Sequence, residues 1–77
     1  MIVTLEATSK IVRLVVEGRE VPARIWEGHT ASGIPCHAYI TRIAVGDDQD
    51  SAEFDHELLE TRRPSPEIEA IPTRLIL

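Results

Sequence analysis

The sequence predicts a small α+β protein forming one domain, residues 1–77: an antiparallel meander of three to five strands, one short helix over about 50–61 on one face, and a C-terminal strand. Three observations predict it. A run rich in β-branched residues, 10–16, and a returning strand, 21–27, flank a glycine turn. A third apolar run, 34–45, follows a loop-like stretch at 28–33 and ends at Gly46-Asp47-Asp48. After it the strand pattern gives way to a capped helical stripe beginning at Asp50 or Ser51.

In chain order, residues 1–5 read as a further edge strand or a frayed end, and Lys10-Ile-Val-Arg-Leu-Val-Val16 as the first full strand. Gly18-Arg19 fits a type II′ turn, which takes Gly at its first central position. That turn pairs Val16 with Val21, Leu14 with Ala23 and Val12 with Ile25 on one apolar face. Cys36, Ala38 and Ile40 extend this face on the third strand. The other face then combines Ile11, Arg13, Val15, Arg24, Trp26, His37, Tyr39 and Ile43. It is too apolar for a solvated surface and too polar for an ordinary core. Phe54, Leu58 and Leu59 form the stripe of the helix, and Asp50 and Glu53 have the spacing of a capping box. This helix is expected on the uncharged Val12 face, which leaves the Trp26 face to a second copy of the chain, sheet against sheet, with Trp26 and Tyr39 near the centre of a homodimer, or else to the N-terminal segment or C-terminal strand folding over it. Ser65-Pro66-Glu67 predicts one helical turn, an N-cap followed by Pro at the first position. Residues 73–77 predict the last strand.

Composition narrows the class. The chain is 43% apolar and 27% charged, with a net charge of −5. No run approaches the ~18 apolar residues of a membrane span. Cys36 is the single cysteine, which rules out an intramolecular disulfide framework, and no signal-peptide pattern opens the chain. A cytoplasmic setting is the expectation. Seven acids, Asp47, Asp48, Asp50, Glu53, Asp55, Glu57 and Glu60, follow one another without an intervening base. This sign argues against direct binding to nucleic acid, which needs a basic stripe. It suits a basic protein partner, a nucleic-acid-binding complex included, or else a solvated helix face.

Catalytic and metal chemistry finds little support. Cys36 and His37 are adjacent on a strand and point to opposite faces, so they cannot ligate one ion together. The Asp48-x-Asp50 pattern departs from a calcium loop, with Glu53 where the turn glycine belongs and Leu59 where the bidentate acid belongs. Residues 28–33 could cradle an anion but lack the strand-to-helix context of a phosphate loop. No enzyme activity, cofactor or metal is expected.

The stretch Val21-Pro-Ala-Arg-Ile-Trp-Glu-Gly28, followed by Gly33-Ile-Pro-Cys-His-Ala-Tyr-Ile-Thr-Arg-Ile-Ala-Val45, resembles a group of short hypothetical proteins carried by bacteriophages and prophages. Arg62-Arg-Pro-Ser-Pro66 and Glu69-Ala-Ile-Pro72 extend the resemblance over most of the chain. It transfers no site residues. It implies an accessory protein in the host cytoplasm, a class in which inhibitors of host defence, anti-CRISPR proteins among them, and sponges for signalling nucleotides recur.

The leading expectation is therefore a binding protein that blocks a host factor through the acidic stretch, represented by Asp47, Asp48, Asp55 and Glu57, and the apolar-aromatic face. The alternatives are a nucleotide binder using Arg13, Arg24, Trp26, His37 and Tyr39, and a structural component of a virion.

Overall fold

The computed structural model describes residues 1–77. Its elements run β1 (Val3–Val16), β2 (Arg19–Thr30), β3 (Pro35–Ile40), α1 (Ser51–Glu57), α2 (Pro66–Glu69) and β4 (Arg74–Ile76). The strands form one curled sheet in the order β3-β2-β1-β4. The pairings of β2 with β1 and β3 are antiparallel, as a meander requires, but β4 lies parallel to β1, with Leu14 opposite Leu75. The sheet is mixed, not wholly antiparallel. Both helices lie between β3 and β4 in the chain, and so long a connection can return a strand in either direction.

The first hairpin turns one residue earlier than its sequence suggests. Its central residues are Glu17 and Gly18, both with positive φ, 51° and 78°. That is the signature of a type I′ turn, whose twist matches the strands it joins. Leu14 now pairs with Val21 and Val12 with Ala23. The partner shifts by two residues, which preserves side-chain parity, so Val12, Leu14, Ala23 and Ile25 still share a face. Val12 and Ile25 are fully buried, each worth about 1.5–3 kcal/mol of apolar transfer.

Ile68 of α2 caps this cluster, with Ile71 and Leu75 packed beside it. The cover is α2, where α1 was expected, and Leu75 of β4 widens the face within the sheet. Ser65, at the start of α2, bonds Glu27 two residues beyond Ile25 and so holds α2 on this face.

β1 is one strand where the sequence suggested two pieces. Ala7 pairs with Trp26 and Ile11 with Arg24, so Thr8, Ser9 and Lys10 face Ile25 alone. Two extra residues again keep parity. The backbone groups freed by this bulge find partners, as buried ones must. Thr8 is fully buried, and its hydroxyl donates to the Ile25 carbonyl at 2.6 Å and accepts from the Lys10 N–H at 3.2 Å. Arg24 donates to the Thr8 carbonyl at 2.7 Å. The Arg62 carbonyl accepts from Ser9 N–H at 2.9 Å, and its N–H donates to Ala7 at 3.1 Å.

β2 continues to Thr30, through part of the predicted loop. Gly28 permits this, since a Cβ there would collide with the Thr4 carbonyl of β1. β3 ends at Ile40, short of the predicted Val45. Asp50 caps α1 as expected, its Oδ1 accepting from the N–H groups of Ala52 at 3.0 Å and Glu53 at 3.2 Å. Ser65 and Pro66 open α2 as the sequence predicts. No helix is long and apolar enough to cross a membrane.

Candidate functional site

Strand parity decides which predicted residues can act together. Ile25 pairs with Tyr39, Glu27 with His37, Trp26 with Ala38 and Arg24 with Ile40. His37 and Tyr39 therefore stand on the Ile25 face, while Cys36, Ala38 and Ile40 stand on the Trp26 face. This reverses the expected assignment. Because β2 runs through Thr30, only residues 31–34 remain for the connection, and that short turn sets the parity of β3. Trp26 and Tyr39 consequently point to opposite faces and cannot share the centre of one interface. The set Arg13, Arg24, Trp26, His37 and Tyr39 is divided in the same way.

The Trp26 face is where α1 lies. Phe54 of α1 and Leu58 at its C-terminal cap, with Ile11, Trp26, Ile40 and Ile43, wall a cleft of about 710 Å³. No residue of α1 is buried and Trp26 is half-buried, so the helix stands off the sheet. Arg24 and Arg42 bring positive charge to the lining, and Glu57 and Glu60 bring negative charge. Arg13 shares the face but lies apart, 3.5 Å from Glu20 on the surface.

Asp47 and Asp48 occupy the exposed turn before α1, and Asp55 and Glu57 lie exposed on α1 itself. The chain's four ion pairs use Glu6, Glu20 and Glu27 as their acids, so none of the seven acids over 47–60 is paired. None of them is held in an ion pair, although Arg24 and Arg42 line the same cleft as Glu57 and Glu60.

Glu27 is the most engaged carboxylate, and sequence reasoning did not single it out. Its oxygens accept from Arg62 Nη1 at 2.8 Å, Ser65 N–H at 2.7 Å and Ser65 Oγ at 2.8 Å. The side chain is 12% exposed. Burial pushes its carboxyl up, but the Ser65 N–H, the Ser65 hydroxyl and the Arg62 guanidinium together outweigh that and hold it below the ordinary glutamate value. This clasp fixes the segment between α1 and α2 to the sheet. The Ser65 cap was legible in the sequence, but nothing there pointed to a partner 38 residues away.

At the free edge of the sheet, the His37 and Tyr39 rings meet edge-to-face at 5.4 Å and 87°, with Nε2 and the phenol oxygen 3.2 Å apart. Cys36 is half-buried and its thiol is free. Over 28–33, the Thr30 hydroxyl lies 3.2 Å from the Ser32 hydroxyl and accepts from Ile34 N–H at 3.2 Å, so these groups close the turn on itself.

Compared with known proteins, the chain matches no protein-family model, no curated protein and no solved structure.

Proposed function

We propose that the chain is a binding protein and not a catalyst, and that it engages a basic surface of a protein partner through α1 and the turn before it. The observation that carries this reading is the run of seven unpaired acids over 47–60, exposed beside an open apolar cleft. An exposed run of acids free of ion pairs steers a basic partner, and the adjacent Leu58, Leu59 and cleft supply apolar area to hold it. The phage-like sequence points to a host factor as that partner, including nucleic-acid-binding complexes of host defence, with the chain acting as an inhibitor in the host cytoplasm. Capture from bacterial lysates at low and raised salt tests the reading. A partner with basic surface is retained at low salt and released as salt screens the attraction. A retained set that ignores salt would contradict it.

The cleft favours a second reading. Its volume of about 710 Å³ lies within the range of about 300–1,000 Å³ common for small-ligand sites. Trp26 offers a stacking surface there, and Arg24 and Arg42 offer charge for an anionic group such as a nucleotide phosphate. His37 and Tyr39 take no part in this site. A ligand bound only to the folded state raises the melting temperature, so a thermal-shift screen of signalling nucleotides separates the two readings.

A further inference from the structure

We propose that two copies of the chain join through the free edge of β3, in antiparallel pairing about a two-fold axis at Ala38. The partner is a second copy, and the proposal stands independently of the acidic surface.

The edge itself is the first argument. Residues 34–41 contain no charged side chain, and they end a sheet whose other outer strand, β4, is three residues long and begins with Arg74. Edge strands ordinarily carry charge, proline or a bulge that blocks pairing with another chain. Here only Pro35, at the first position, does so.

Register supplies the second argument. Thr30 N–H donates to the Ile34 carbonyl at 2.9 Å. In an antiparallel ladder, hydrogen-bonded and non-bonded pairs alternate. Cys36, Ala38 and Ile40 therefore direct their backbone groups toward β2, and His37 and Tyr39 direct theirs outward. No turn, loop or cap hydrogen bond uses the outward groups. A two-fold axis at Ala38 sets His37 of each copy against Tyr39 of the other, which satisfies all of them. The side chain at the axis is small, and the His37 and Tyr39 rings of both copies form one row across the joint.

Size gives the third argument. The chain exposes 5929 Å², whereas a folded monomer of its mass exposes about 4,700 Å². Its radius of gyration is 13.8 Å, against about 11.5 Å for a compact domain of this length. The excess is about 1,200 Å², more than the about 800 Å² that a standard interface removes from each partner, so one such contact would cover a large part of it.

Sedimentation of the full chain at micromolar concentration, with circular dichroism as the check on folding, tests the proposal. Wild type sediments at twice its 8.6 kDa mass. His37→Pro removes an outward N–H and leaves the β2 ladder intact, as proline does on an edge, so this variant runs as a folded monomer. A second measurement does not depend on that variant folding. With Cys36→Ser to remove the native thiol, Ala38→Cys cross-links the copies on oxidation, since non-bonded partners lie about 4.5 Å apart at Cα. A monomeric wild type, a dimer that survives in folded His37→Pro, or an Ala38→Cys variant that does not cross-link would each overturn the proposal.

Discussion

Glu27 carries a negative charge into a site from which water is largely excluded, and three donors on a distant segment hold it there. Replacing one partner in such a set leaves the others without an acceptor of matching charge. Glu27→Gln is therefore expected to cost about 1.5–3 kcal/mol at neutral pH, the range for hydrogen bonds to charged groups. The sign of the pH dependence follows from the lowered carboxyl. The folded-state value lies below the unfolded one, so the stabilisation is complete above the ordinary 4.5 and is lost as pH falls through the lowered value. Urea midpoints of wild type and Glu27→Gln should differ at pH 7 and converge on acidification below 4.5. A difference that stays constant over that interval would refute the clasp. None of this was legible beforehand, because the sequence presents Glu27 as one more polar residue near a glycine. By contrast, Asp50 and Ser65 were legible as caps, since a cap acts on backbone two or three residues away.

At the scale of elements, the predicted core survived a wrong turn. The hairpin register moved by two residues and the β1 bulge added two more, and both shifts preserve the alternation that placed Val12, Leu14, Ala23 and Ile25 together. The turn after Thr30 set the opposite parity for β3, which exchanged Cys36, Ala38 and Ile40 with His37 and Tyr39. Alternating hydrophobicity pointed the other way there, because the more apolar set, Cys36, Ala38 and Ile40, faces the side beneath α1. Gly28 marks the tightest approach in the sheet, lying against the Thr4 carbonyl where Leu5 pairs with Gly28. Here a side chain meets backbone, which cannot swing aside. Gly28→Ala is expected to destabilise by more than about 3 kcal/mol, beyond ordinary overpacking of side chains. Equilibrium denaturation measures it, and a loss under 1 kcal/mol would mean that the two strands separate there at little cost.

The molecule as a whole has a small core, with eight residues buried of 77, and many large apolar side chains stay exposed. That much followed from length and composition, since a chain of this size has little interior. The parallel return of β4 and the position of α1 above Trp26 did not follow, because both depend on the long connection after β3. The result is a sheet with one closed face, one half-open face beneath α1, and one bare edge. The acidic charge sits beside the half-open face, where the proposed partner would dock. The central claim is that this charge selects the partner. The most direct measurement is to compare the proteins captured from one bacterial lysate by wild type and by Asp55→Lys/Glu57→Lys, both exposed positions away from the Asp50 cap. The account predicts that both forms show the same circular dichroism and that a basic protein held by wild type is lost from the double variant. Equal retention of that protein by the two forms would contradict it.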